Sequence, residues 1–322
     1  MPAGAPFYTP DTRLGIGLYT ILCVDSADTN LGKTNEVVLF FTGTSNLQAS
    51  MGIQPEWYLS DGLYRLGGYF EIASYPGVYW GIGSDTETED SESYEPVYIV
   101  GKISIYRRVS PSLYLGPRLS YRYSEIESGT SLSRLEGGEG STILGLGAGG
   151  VWDSRNSSFY PTAGLLVEGF VEQYSRTWGS GETFGIFQLD IRGYFPVGKE
   201  GVFALQGRIQ SSWGDVPFLS YPSLGGSMTM RGYPIGRFQD RTGASVQGEY
   251  RFPLMGRLGG VVFMGMGDVQ PSWFSYNLST LKLVGGMGLR FLLDTERRIN
   301  ARLDLGFTSE GIGVYVLVKE AF

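Results

Sequence analysis

The sequence predicts an all-β fold, a single sixteen-stranded antiparallel transmembrane β-barrel. Three observations predict it: stretches of alternating hydrophobicity about ten residues long, connections that alternate between short and long, and a composition rich in glycine and tyrosine. The 322 residues would suffice for two average domains, but all-β barrels of this size form one, and no linker or composition break divides the pattern, so 1–322 reads as one barrel domain. Apolar residues make up 42% and charged residues 18%, too apolar for disorder, while 49 glycines and 21 tyrosines suit strands, tight turns and an aromatic surface. No stretch approaches the roughly 18 apolar residues that a spanning helix needs, so any membrane crossing must use strands. The N-terminal MPAGAPFYTP lacks the basic and apolar regions of a signal peptide. An exported barrel needs one, so Met1 is read as the start of a trimmed chain.

The alternation is clearest in strand 12. Ala244, Val246, Gly248, Tyr250, Phe252 and Leu254 fall on one face; Ser245, Gln247, Glu249 and Arg251 fall on the other. In strand 10, Phe187, Leu189, Ile191 and Phe195 oppose Gln188, Asp190, Arg192 and Tyr194. Strand 7 sets Leu115, Leu119, Tyr121 and Tyr123 against Arg118, Ser120, Arg122 and Ser124, and strand 15 sets Leu303, Leu305 and Phe307 against Arg302, Asp304 and Thr308. A soluble sandwich also alternates, but it turns its charges to water. Here the polar faces carry both signs on strand after strand, as a packed polar lumen requires. Aromatics near strand ends (Trp57, Tyr58, Tyr79, Trp80, Tyr123, Trp152, Tyr160, Trp178, Trp213, Trp273) fit a girdle at two interfaces.

Short connections are expected at Ser60 to Leu63, Val109 to Leu113, Val197 to Gly201, Met255 to Leu258 and Asp294 to Ile299. Long ones fall between them, at Tyr75 to Pro96, Glu127 to Ser141, Ser175 to Thr183, Trp213 to Gly243 and Gly267 to Thr280. Periplasmic turns are short and external loops long in such barrels. Ala3 to Thr9 supplies the first, proline-bounded strand and makes the number even. Pro2, Pro6 and Pro10 lack N–H donors, so the junction of strand 1 with the chain around Val314 to Phe322 should be the least hydrogen-bonded of the barrel.

The absence of histidine excludes Ser-His-Asp and Cys-His catalysis and the usual mixed zinc sites, so no enzyme and no cofactor is expected. A net charge of −7 without a basic run argues against nucleic acid. Cys23, in an apolar strand, reads as a packed, inert thiol. Gly145 to Gly150 matches G-x-G-x-x-G, but no helix follows it, so the glycines read as room for neighbours in a strand. The acidic run Asp85 to Glu92 lacks the glycine and spacing of a calcium loop and reads as a solvated loop.

Three segments resemble the BamA/TamA family of outer-membrane protein-insertion and translocation proteins. Asp153-Ser154-Arg155 through Phe159, Pro161 and Gly164 is similar to that family's D-x-R-x-x-x-F-x-P-T-x-G turn between strands 8 and 9; by itself it is a proline-centred turn with an Asp/Arg clamp. Met230-Arg231-Gly232-Tyr233 resembles the V-R-G-[FY] signature of its long sixth external loop. The resemblance implies that this loop inserts into the lumen and that Arg231 reaches acidic residues of the wall. Glu249 matches one of those acids; the other is expected within Phe263-Met264-Gly265-Met266-Gly267, where Gly265 replaces the aspartate. The terminal Phe322, on an alternating last strand, is similar to the insertion signal read by the barrel-assembly machinery, and also suits the lipid interface. The resemblance implies an integral protein of a bacterial-type outer membrane with both termini periplasmic. Its partners would be membrane lipids, polypeptide clients and, through the last strand, the assembly machinery. The alternatives are an anchor or export pore for an N-terminal domain absent here, such as a patatin-like one, and a passive solute channel. The family's POTRA modules are not present in this sequence.

Overall fold

Strands that carry lipid-compatible side chains on one face and charges on the other can bury both only by closing on themselves, which also removes the sheet edges. The computed structural model describes residues 2–24, 35–128, 131–295 and 298–322, with backbone alone at 2, 3, 23, 24 and 128. The Cys23 side chain therefore lies outside the described part. Sixteen antiparallel strands form the closed barrel. They are β1 (Pro2–Thr9), β2 (Arg13–Val24), β3 (Asn35–Thr44), β4 (Ala49–Leu59), β5 (Tyr64–Ser74), β6 (Glu92–Ser110), β7 (Leu113–Ser128) and β8 (Gly140–Asp153). The second half comprises β9 (Gly164–Tyr174), β10 (Phe184–Val197), β11 (Gly201–Gly214), β12 (Thr242–Met255), β13 (Leu258–Gln270), β14 (Lys282–Asp294), β15 (Ile299–Thr308) and β16 (Gly311–Val318). Each strand pairs with its neighbours in sequence, and β1 meets β16 to close the wall. No described helix is long and apolar enough to cross a membrane.

The two faces separate as the period-2 pattern dictates. On β12, Val246, Tyr250 and Leu254 are exposed while Gln247, Glu249 and Arg251 are buried; on β10, Ile191 and Phe195 are exposed while Asp190 and Tyr194 are buried. Leu115, Leu119 and Tyr121 face outward on β7, with Ser120 buried, and Leu303 and Phe307 face outward on β15, with Arg302 and Asp304 buried. Several inward charges are neutralised in place, Arg118 by Glu172 at 3.0 Å, Arg192 by Asp190 at 2.9 Å and Arg65 by Glu56 at 2.9 Å. Trp152, Trp178, Trp213 and Trp273 are exposed, as a girdle requires. Tyr58 departs from that expectation. It follows Trp57 directly, so only one of the two can face outward, and Tyr58 packs inside against Tyr106 and Tyr114.

Connections after odd-numbered strands gather at one rim and those after even-numbered strands at the other. The long connections 75–91, 175–183, 215–241 and 271–281 share the first rim; 60–63, 111–112, 198–200 and 256–257 are short turns at the second. The alternation has exceptions. At the long-loop rim, 10–12, 45–48 and 309–310 are short, and their neighbourhood is covered by residues 231–237. At the short-turn rim, 154–163 is long. Residues 25–34, between β2 and β3, lie outside the described part. Strand β6 starts earlier than expected because Gly77–Tyr79 folds back to pair with Glu92 to Tyr94.

The glycines of Gly145 to Gly150 lie within β8, which continues to Asp153. A Cβ on Gly145 would meet the Tyr174 ring at 2.5 Å and one on Gly147 the Val171 carbonyl oxygen at 2.0 Å, so the bare strand makes room for the Tyr174 side chain and for the main chain of β9. Gly147→Ala should destabilise the barrel by about 1–3 kcal/mol through overpacking. Gly207→Ala on β11, where a Cβ would meet nothing within 4 Å, serves as control. Heat-modifiable mobility in detergent gels measures both, and equal stability of the two variants would contradict the packing argument.

Candidate functional site

The connection 215–241 is too long to serve as mere linkage between two adjacent strands. Its backbone is shaped by glycines at positive φ, Gly225 at 110°, Gly226 at 101°, Gly232 at 128° and Gly236 at 73°, and by a two-residue pairing of Ser223–Leu224 with Phe238–Gln239. Leu224, Met230, Tyr233 and Phe238 bury themselves against Val261, Phe263, Val269 and Val284 of the wall. At its tip, glycines on β15 and β16 permit contact. A Cβ on Gly306 would fall 2.2 Å from the Arg231 carbonyl oxygen, and one on Gly313 2.9 Å from Gly232 Cα.

Arg231 is fully buried and bridges two strands. Its Nη2 donates to Glu249 Oε2 on β12 at 2.7 Å, its Nη1 to Asp304 Oδ2 on β15 at 2.9 Å, and its guanidinium carbon stacks 3.6 Å from the centre of the Phe263 ring on β13. Glu249 and Asp304 belong to a wider cluster. Arg251 donates to Glu249 at 2.7 Å, Arg302 to Asp304 at 3.1 Å, and Arg290 bridges Asp304 and Glu320, the latter at 2.7 Å. Four guanidiniums thus meet three side-chain carboxylates; main-chain oxygens of Ser227 and Phe322 accept further bonds from Arg302 and Arg251 at 3.0 and 2.8 Å. Charges removed from water to this degree persist only when paired and hydrogen-bonded on several sides.

The second acid is therefore Asp304, which the motif comparison missed. The sequence signal for it was the inward face of strand 15, where Asp304 already stood opposite Leu303 and Leu305. At Gly265 the vacated position keeps Gln247 free of crowding, since a Cβ there would approach Gln247 Cβ to 3.0 Å, and Gln247 Nε2 donates to the Met228 carbonyl of the connection.

The segment Asp153 to Gly164 is a clamped turn. Arg155 grips Asp153 in bidentate fashion at 3.0 and 3.1 Å, Asn156 Oδ1 accepts from Thr162 N at 3.0 Å, and Gly164 adopts φ 107° where a Cβ would lie 2.3 Å from the Ser154 carbonyl. Just before Pro161 the aromatics leave the turn. Tyr160, expected in the girdle, sits under Arg298 at 4.4 Å and Arg251 at 5.6 Å, and Phe159 under Lys319 at 5.2 Å. Burial pushes the Tyr160 hydroxyl pKa up. The turn thereby reaches from β8 and β9 toward the end of β16.

Phe322 requires a correction. Strand β16 ends at Val318, and Ala321 and Phe322 are buried with Tyr194 and Ala204 of the inward face. Val316 and Val318 share the parity of Glu320, so a continued strand would carry Glu320 onto the lipid face. Its pairing with Arg290 and with Asn300 Nδ2 at 2.8 Å draws it inward, and Phe322 follows.

The sequence matches the Omp85 superfamily domain over residues 30–306. The chain belongs to the Omp85 superfamily. It is an integral outer-membrane β-barrel of a superfamily that inserts or translocates proteins and is generally non-catalytic. Among solved structures its fold is similar to BamA from Haemophilus ducreyi lacking POTRA domains 1–3, at 13% identity and a TM-score of 0.66, covering 99% of this chain and 70% of that one. It is also similar to CdiB from Acinetobacter baumannii (14% identity, TM-score 0.61, 99% of this chain and 59% of that one). CdiB from Escherichia coli matches at 11% identity and a TM-score of 0.67, over 98% of this chain and 62% of that one. This Omp85 barrel thus spans about six tenths of the length of the CdiB chains. No curated relative matches the sequence significantly.

Removing one partner of a buried ion pair strands the other and costs about 3–5 kcal/mol. Arg231→Ala should loosen 215–241 and make it sensitive to added protease. Asp304→Ala, which takes a carboxylate partner from three guanidiniums, should be at least as damaging as Glu249→Ala, which takes one from two. Limited proteolysis of the folded barrel in vesicles reads this order, and a harmless Asp304→Ala would overturn the assignment of the second acid.

Proposed function

We propose that this barrel inserts or translocates polypeptides by parting the junction of β1 with β16. The observation that carries the reading is the pairing there. β1 matches β2 from Pro2↔Thr20 to Thr9↔Arg13, and β16 matches β15 from Thr308↔Gly311 to Ala301↔Val318, yet among the described residues β1 and β16 share only Tyr8↔Val316. Continuing that register would set Lys319 to Phe322 opposite Ala5 to Pro2, but those residues turn inward instead. The prolines fit the same picture. Pro2 and Pro6 lack N–H donors and share the parity of Tyr8, the residue of β1 that pairs with β16.

A strand edge with unpaired N–H and C=O groups can template an incoming strand. In this reading the short-turn rim and both termini are periplasmic and the long-loop rim is external. The 215–241 connection is inserted into the lumen, where Arg231, Gly232, Tyr233 and Glu249 lock it. The Asp153, Arg155, Phe159, Pro161 and Gly164 turn braces the periplasmic mouth. Phe322 serves as an insertion signal during assembly and tucks inside afterwards. A passive channel is disfavoured by the buried charge cluster and the docked connection.

The test is a disulfide between Tyr8→Cys and Val316→Cys in a Cys23→Ser background. Wild-type protein in vesicles should accelerate folding of an outer-membrane barrel client, the oxidised variant should not, and reduction should restore the effect. Undiminished activity of the oxidised form would sink the proposal, and steady ion conductance without client folding would favour the passive channel.

A further inference from the structure

The seam that barely pairs along its strands is bridged above them. Residues 231–237, the tip of the 215–241 connection, contact both of its sides. On the β16 side, Tyr315 Oη accepts from Gly232 N at 2.9 Å, Tyr233 Oη lies 3.2 Å from Ser309 Oγ, and Arg237 Nε donates to Glu310 Oε2 at 2.8 Å. On the β1 side, Ile235 N donates to Asp11 Oδ1 at 2.9 Å in the turn that joins β1 to β2. That turn is itself fixed, because the Asp11 carbonyl accepts from Asn46 Nδ2 at 3.1 Å and from Gln48 Nε2 at 3.2 Å. Arg237 reaches further, donating to Thr86 Oγ1 at 2.7 Å and to the Thr86 carbonyl at 2.8 Å, so the tip is held independently of the seam.

We infer that residues 231–237 form a strap across the β1–β16 junction, with Asp11 as the positioning residue that holds the β1 side. The inference rests on the lateral-opening reading above and adds its regulation. Both anchors, the 10–12 turn and the 309–310 turn, lie at the long-loop rim, and the one strand pair, Tyr8↔Val316, lies just below them. Toward the short-turn rim nothing comparable joins the two strands among the described residues, and the segment that would do so, Lys319 to Phe322, is engaged with Arg290, Asn300 and Arg251. The junction is therefore fastened at one end. It parts from the short-turn rim and hinges on the strap, and a polypeptide strand gains access to β1 from that rim first.

The strap is tested by the disulfide yield of the Tyr8→Cys/Val316→Cys pair in vesicles, in a Cys23→Ser background. Asp11→Ala, which removes the acceptor, should lower that yield severalfold, whereas Asp11→Asn, which keeps an acceptor oxygen, should restore it. A control pair at a fully laddered junction, Ile209→Cys with Ala244→Cys, should respond to neither. Heat-modifiable mobility verifies that each variant is a folded barrel; if Asp11→Ala is not, Glu310→Ala with Tyr315→Phe removes two of the three contacts of the other anchor and should lower the yield in the same direction. An unchanged seam yield in the folded variant, or an equal fall at the control pair, overturns the strap. A lowered seam yield with unaltered client folding supports the strap and counts against lateral opening, so the two ideas fail separately.

Discussion

The structure depends on one guanidinium. Arg231 lies at the tip of a connection that leaves the barrel wall at Gly214 and returns at Thr242, and it meets that wall on two strands that are not neighbours, β12 through Glu249 and β15 through Asp304. A planar fork suits this task because its two ends can donate to separate carboxylates at once, which a lysine ammonium does less well. The remaining geometry follows from it. Gly306 and Gly313 are bare where the tip lies down, Phe263 supplies a ring face for the cation, and Arg251, Arg290 and Arg302 share the same acids, so the interior charges form one cluster around the tip.

The same cluster shapes the end of the chain. Glu320 joins Arg290, and the last residues turn away from β1 to lie against Tyr194 and Ala204. A ladder pairing along the closing junction competes with burial of a carboxylate that would otherwise face lipid. The ion pair wins, since hydrogen bonds to charged groups contribute about 1.5–3 kcal/mol each and a neutral ladder hydrogen bond about 1 kcal/mol. The weakness of the junction and the strength of the interior are therefore two sides of one arrangement.

Much of this was legible in the sequence because a strand has period 2. The alternation on strands 7, 10, 12 and 15 gave the faces correctly, and loop lengths gave the two rims. What the alternation cannot carry is the height at which inward side chains meet. Asp304 and Glu249 are both visibly inward, but that they flank the same arginine depends on barrel closure and strand stagger, which join residues far apart in the chain. Tyr58 and Tyr160 were misplaced because aromatic identity outweighed parity in one case and because a loop crossed the mouth in the other. Phe322 was misplaced because a strand was continued through a residue, Glu320, whose partner lay on another strand. Asp11 carried no signal at all: a turn aspartate is ordinary, and only the folded connection brings Ile235 to it.

Hydrogen–deuterium exchange across residues 223–239, followed in lipid vesicles for the wild type and Arg231→Ala, tests most directly that this one side chain holds the connection. The segment should be as protected as the strands in the wild type and exchange much faster in the variant, while β10 and β11 stay unchanged. Rapid exchange of that segment in the wild type, or full protection in the variant, would contradict that role of Arg231.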